Sequence, residues 1–215
     1  MEKYQREFIE FAISRNALCF GDYTLKSGRK SPYFFNSGLF NDGTSLAQLG
    51  HYYANAIQTS GLPCDMLFGP AYKGIPLAAA TAVAFANSFN RNLPFCFNRK
   101  EIKDHGEGGG VFGAALSGNV VIVDDVISAG TSVNISVDII KQSGAMPAGV
   151  AVAMDRQERG GGPLSAVQEV EQRHKIRVIS IITLDNMIEY LETIPAMQAN
   201  LENIRQYRKE YGVGV

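Results

Sequence analysis

The residues Val120-Val121-Ile122-Val123-Asp124-Asp125-Val126-Ile127-Ser128-Ala129-Gly130-Thr131-Ser132 decide how the rest of the chain is read. Four consecutive β-branched side chains predict a strand buried on both faces, as at the centre of a parallel sheet. Two adjacent carboxylates end it. A short loop of small and hydroxyl-bearing residues then leads into apolar positions at Val133, Val137 and Ile140, spaced as on one face of a helix. In an open α/β sheet, ligands sit beyond the carboxyl ends of the strands, where helix N-termini present free N–H groups. The loop 126–131 is therefore a candidate phosphate cradle.

What the loop lacks narrows the ligand. It contains neither Gly-x-x-x-x-Gly-Lys-Ser/Thr nor Gly-x-Gly-x-x-Gly, so triphosphate-loop and dinucleotide chemistry are unsupported. Backbone N–H groups and the hydroxyls of Ser128, Thr131 and Ser132 would have to hold the anion, which suits one phosphomonoester. Asp124 and Asp125 would repel a phosphate, so they are expected to face hydroxyls or a bound Mg²⁺, which takes oxygen ligands. A sugar phosphate satisfies both halves. Taken alone, the Asp pair reads equally well as an acidic strand end that caps a helix or binds a lone cation.

At 215 residues the chain is long enough for one core that buries roughly 70 per cent of its unfolded surface. The net charge is −1, so no global basic field recruits nucleic acid or an anionic membrane, and any anion site must be local. The N-terminal residues have no apolar signal core and no apolar run is long enough to span a bilayer, which reads as a cytoplasmic protein. Cys19, Cys64 and Cys96 form no Cys-x-x-Cys pair and are expected to be buried thiols. His51, His105 and His174 are too scattered to predict a histidine metal site.

Taken in order, Glu2 to Asn16 carries the apolar spacing of an amphipathic helix, and Phe20 to Ser37 reads as two extended runs joined at Ser27-Gly28. In a regular strand Phe34 and Phe35 face opposite sides, so at most one belongs to the core. A helix over 46–58 is followed by Gly61-Leu62-Pro63, which marks a boundary between residues 1–62 and 63–215. Asp65 to Phe68 is a short buried strand. Its loop Gly69-Pro70-Ala71-Tyr72-Lys73-Gly74 lets backbone approach a ligand and adds one cation, and Pro76 is tolerated in the first turn of the helix that follows. Leu93 to Asn98 is the next strand, with Pro94 marking an edge or a strand end. The stretch 99–110 then combines Arg99, Lys100, Lys103 and His105 with dense glycine, which predicts a mobile loop; it reads either as a solvated charge run, the usual case, or as a lid able to stabilise a departing anion and exclude water. Val150 to Met154 is another buried strand, ending at Asp155-Arg156. Arg156 either pairs with Asp155 or Glu158 or holds a ligand carboxylate with its planar fork. Ser165 to Gln168 reads as a capping box, Arg177 to Ile182 as the last strand, and 184–211 as helical and polar.

Over its whole length the segment 120–132 resembles the 5-phosphoribosyl 1-diphosphate (PRPP) motif of the type I phosphoribosyltransferases. The segments 26–36 and 99–109 resemble the hood and the catalytic loop of the orotate phosphoribosyltransferases within that group. Ser128 and Ser132 stand where Thr and Ala are more usual, and both keep the loop small. The resemblance implies an α/β phosphoribosyltransferase fold with a mainly parallel sheet flanked by helices and a small N-terminal hood over the base. It implies transfer of the phosphoribosyl group to orotate, with Mg²⁺ held mainly by substrate oxygens. Asp124 and Asp125 would then meet the ribose hydroxyls, and Val126, Ile127, Ser128, Ala129, Gly130, Thr131 and Ser132 the 5-phosphate. Lys26, Tyr72, Lys73, Arg99, Lys100, Lys103 and His105 are carried over as further PRPP contacts. Of these, Lys103, Arg99 and His105 join the two aspartates as the catalytic set. Phe34, Phe35, Ser128 and Arg156 are carried over as orotate contacts. A homodimer, with Lys100 and the loop 99–110 reaching the partner's site, is implied as well. A purine phosphoribosyltransferase or a PRPP-sensing regulator would share the central motif. The first should lack Phe34-Phe35 and Arg156 in these contexts, and the second needs a basic recognition element, none of which is found outside the lid.

Overall fold

The computed structural model describes residues 1–25, 27–99, 110–128 and 130–213. Helix α1 (Lys3–Ser14) precedes a hairpin of β1 (Leu18–Thr24) and β2 (Lys30–Phe35). A turn of 3-10 helix at Ser37–Leu39 leads to α2 (Gly43–Ser60), which starts where the Asp42 carboxylate accepts from Ser45 N–H at 2.8 Å and stops at left-handed Gly61. Then come β3 (Met66–Gly69), α3 (Gly74–Phe89), β4 (Phe95–Asn98), β5 (Val111–Gly113), β6 (Asn119–Val123), α4 (Thr131–Gln142) and β7 (Met146–Asp155). After these follow α5 (Ala166–His174), β8 (Arg177–Thr183), α6 (Leu184–Glu192), a 3-10 turn at Pro195–Met197, and α7 (Gln198–Tyr211).

β3 to β8 form one sheet in the order β5-β4-β3-β6-β7-β8, parallel except for β5. The expected central strand is β6, buried on both faces between β3 and β7. Period-two alternation separates two cores. Met66, Phe68, Val120, Ile122, Val150 and Val152 face α4 and α5. Leu67, Val121, Val123, Ala151, Ala153 and Ile181 pack instead with α1, α2, α3, α6 and α7.

Four local expectations change. Of the two readings of Pro94, the strand end holds and the edge does not: Pro94 immediately precedes β4, its carbonyl accepts from Leu67 N–H at 3.0 Å, and the unanticipated β5 covers the strand. β7 begins at Met146, earlier than expected, because a register shift between Val120 and Val121 accommodates Pro147. The C-terminal segment is two helices, and they are not polar all round, since Leu184, Met187, Leu191, Leu201 and Ile204 are buried. Cys64 and Cys96 are buried, but Cys19 is only half-buried, with Sγ 3.2 Å from the Asn16 carbonyl. The Ser165 capping box is present in both directions, at 3.1 and 2.9 Å. Among the described residues no helix is long and apolar enough to cross a membrane.

Candidate active site

After β3 the chain moves outward to β4 and β5, then returns to place β6 on the other side of β3. Neighbouring strands whose connections leave in opposite directions open a crevice at their carboxyl ends, and ligands of open α/β sheets bind there. The loop after β3 supplies Tyr72 and Lys73, and the end of β6 supplies Asp124 and Asp125. Lys73 Nζ lies 2.6 Å from Asp125 Oδ2. The β3 loop is folded tightly on itself: a Cβ on Gly69 would stand 2.3 Å from the Gly74 carbonyl oxygen. Asn98, at the end of β4, holds that loop by accepting from Ala71 N–H at 2.9 Å, and the Ala71–Tyr72 peptide is cis.

Asp124 and Asp125 are both 8% exposed. Asp125 Oδ2 accepts from Ser37 Oγ at 2.8 Å as well as from Lys73. Asp124 Oδ1 accepts from Asp125 N–H at 2.9 Å and its Oδ2 from Ser132 Oγ at 2.9 Å. The Tyr53 hydroxyl fixes the backbone beneath, donating to the Asp124 carbonyl at 2.8 Å. Burial pushes the Asp124 carboxyl up to about 6; the two hydrogen bonds it accepts oppose that and the adjacent Asp125 charge adds to it. Beside the pair opens a cavity of about 320 Å³ lined by Asp124, Val126, Ile127, Ser128, Thr131 and Ser132. α4 begins at its rim, so first-turn N–H groups that have no acceptor inside the helix face the space. Gly130 makes the turn into that helix at φ 69°, where a side chain would be strained.

One strand further along, Arg156 follows β7. Its Nε donates to Glu158 Oε1 at 2.7 Å, and its guanidinium lies 4.2 Å over the Tyr33 ring of the hairpin. Asp155 is not its partner: that carboxylate accepts from Gln157 N–H at 2.9 Å. Phe34 and Phe35 face opposite sides, as strand geometry requires. Phe34 is 40% exposed and stacks on Tyr23, while Phe35 packs its ring toward Phe8 and Phe40. Arg99 follows β4, with its guanidinium 4.0 Å over the Phe112 ring.

The chain matches the family model of the phosphoribosyl transferase domain over residues 38–183. It is 59% identical to the orotate phosphoribosyltransferase of Shigella flexneri over 213 residues, covering 99% of this chain and 100% of that one. The chain belongs to the orotate phosphoribosyltransferase family. Two solved structures carry the same likeness into three dimensions. The orotate phosphoribosyltransferase of Francisella tularensis matches with a TM-score of 0.87 at 42% identity, over 96% of this chain and 99% of that one. That of Aeropyrum pernix matches with a TM-score of 0.65 at 27% identity, over 85% and 97%. The family's type I fold is thus the fold of this chain, and the chain is a pentosyltransferase.

Within this family member, the described residues bring Lys73, Asp124 and Asp125 together with Val126, Ile127, Ser128, Gly130, Thr131 and Ser132 of the cavity wall, and Tyr72 precedes Lys73 in the β3 loop. Arg156 stands at the neighbouring strand end and Phe34 on the hairpin beyond it. Lys26, Lys100, Lys103, His105 and Ala129 lie outside the described residues. The sequence reading missed Ser37, Tyr53 and Asn98, and it named Glu158 only as one of two partners for Arg156, a pairing the structure bears out at 2.7 Å. Asn98 has a signal in hindsight, as a polar residue closing an apolar parallel strand in the manner of Asp124 and Asp155. Ser37 and Tyr53 act across the fold and leave no local mark.

Proposed function

We propose that this chain transfers the 5-phosphoribosyl group of PRPP to orotate, giving orotidine 5-monophosphate and diphosphate, a step of de novo pyrimidine nucleotide synthesis. One observation carries the residue assignment: Lys73 of the β3 loop and Asp125 of the β6 end are in direct contact across the crevice, so the elements read as diphosphate and ribose sites face one space. In this reading Asp124 and Asp125 receive the ribose hydroxyls, and the loop 126–132 with the start of α4 receives the 5-phosphate. Tyr72, Lys73 and Arg99 turn toward diphosphate. Ser128, Phe34, Phe35 and Arg156 take the base, Arg156 through the ring carboxylate. Lys26, Lys100, Lys103 and His105 enter from the family resemblance, with Lys100 and the loop 99–110 serving the partner's site in a cytoplasmic homodimer and residues 1–62 forming the hood.

Departure of diphosphate leaves an oxocarbenium-like carbon, and the buried carboxylates of Asp124 and Asp125 lie where their charge stabilises it. The ring nitrogen of orotate then attacks, and no protein nucleophile is needed. Lys73 and Ser37 both meet Oδ2 of Asp125, which holds that carboxylate in place at the strand end. Two adjacent carboxylates are oxygen donors of the kind Mg²⁺ takes, which fits an ion held mainly by substrate oxygens with Asp124 and Asp125 beside it. When bound, that ion supplies Lewis-acid charge to the leaving group.

The reading is tested by incubating the purified chain with PRPP, Mg²⁺ and orotate. It expects orotate absorbance to fall in step with an equimolar release of diphosphate. PRPP binding with orotate left intact would contradict it.

A further inference from the structure

Behind Arg156 lies a carboxylate to which the transfer reaction assigns no task. Glu158 is nearly buried and gathers three donors: Arg156 Nε at 2.7 Å and the Tyr33 hydroxyl at 3.0 Å on Oε1, and Arg29 Nη1 at 3.1 Å on Oε2. Arg156 Nη2 lies 2.7 Å from the same Oε1 and donates to Ser31 Oγ at 3.1 Å. Among the described residues Arg156 Nη1 makes no hydrogen bond. Because a guanidinium is planar, clamping one edge aims the other. The Tyr33 ring limits the remaining freedom, with its centroid 4.2 Å from the guanidinium carbon.

Charge points the same way. Arg29 and Arg156 both face Glu158, so two guanidinium groups share one carboxylate and Arg156 keeps donor capacity for a second. The cluster is also where distant parts of the chain meet. Arg29 comes from the hairpin and lies 4.4 Å over the Tyr211 ring of α7, and Arg159 N–H donates to the Tyr211 carbonyl at 2.9 Å. The Tyr207 hydroxyl stands 3.4 Å from Arg156 Nη2.

We infer that Glu158 is the positioning residue of the base site, clamping the Nε edge of Arg156 so that its remaining N–H groups meet the substrate carboxylate, and tying the hairpin and the C-terminal helix to that point. The inference rests on the reading of Arg156 as partner of that carboxylate. Glu158 itself does not touch the ligand.

Calorimetric binding of two nucleotides separates the possibilities: orotidine 5-monophosphate, and uridine 5-monophosphate, which has hydrogen in place of the carboxylate. Their affinity ratio within one variant reports carboxylate recognition and cancels any general loss of binding. Glu158→Gln is expected to lower the ratio about tenfold, toward that of Arg156→Ala, with PRPP affinity within about twofold of wild type. Tyr33→Phe keeps the ring but deletes one contact to Oε1. It is expected to lower the ratio about twofold, and it carries the test if Glu158→Gln does not fold. A ratio unchanged in Glu158→Gln but lost in Arg156→Ala overturns the positioning role while leaving the carboxylate reading intact. Equal weakening of both nucleotides marks a merely structural role and overturns it too. A ratio unchanged in Arg156→Ala removes the carboxylate reading and the inference together.

Discussion

The two ends of the crevice are built on different plans. At the end we assign to ribose and phosphate, nearly every group comes from the unbroken run 120–132, with Lys73 and Ser37 added from across the crevice. At the end we assign to the base, Arg29, Tyr33, Arg156, Glu158, Tyr207 and Tyr211 come from the hairpin, the end of β7 and α7, and meet only in the fold. A sugar phosphate is recognised by backbone N–H groups and a strand end, which a short segment carries whole. A flat base with one carboxylate needs an aimed guanidinium, and aiming takes supports from several directions. The first end is therefore a motif and the second is an assembly.

Substitutions can break that contrast. Asp125→Asn removes the charge that Lys73 and Ser37 converge on. Turnover is expected to fall about 10² to 10³-fold in steady-state assays, with the affinity ratio of the carboxylated and uncarboxylated nucleotides unchanged; a shifted ratio would mean that the ends are not separate. Gly74→Ala comes next, because the new Cβ would stand 2.5 Å from Pro70 Cδ and 2.8 Å from the Val123 carbonyl oxygen. Chemical denaturation should show a loss of about 3 kcal/mol, and PRPP affinity should suffer more than nucleotide discrimination.

Asp124 sharpens the comparison through pH. Burial holds its carboxyl up at about 6 in the folded chain, against about 3.9 when unfolded. Between those values the folded state holds the extra proton, so this group's contribution to stability is fully present below about pH 4 and is lost as pH rises through about 6. Across that window the loss is roughly 3 kcal/mol, measured as the difference between wild type and Asp124→Asn in denaturant titrations at several pH values. Identical pH dependence in the two proteins would contradict the burial account. Smallest is Tyr207→Phe, which deletes one long contact to Arg156 and should raise the KM for orotate by no more than about twofold, leaving the KM for PRPP alone.

The same contrast explains how much of the molecule was legible in its sequence. Val120 to Val123 announced β6, and with it the central strand, because full burial leaves an uninterrupted apolar run. The Ser165 capping box and the opposed faces of Phe34 and Phe35 were legible because each depends on spacing alone. β5 was not, since its short run beside dense glycine gains stability only by pairing with β4. The apolar faces of α6 and α7 were diluted by charged neighbours. Glu158 was readable only as one of two partners for Arg156; that it also gathers Arg29 and Tyr33 depends on chain closure.

The most direct measurement compares initial rates for four acceptors, orotate, uracil, hypoxanthine and adenine, at saturating PRPP and Mg²⁺. A base end organised around one aimed guanidinium predicts turnover with orotate, with uracil far behind and no reaction with either purine. Comparable rates with uracil, or turnover with a purine, would contradict it.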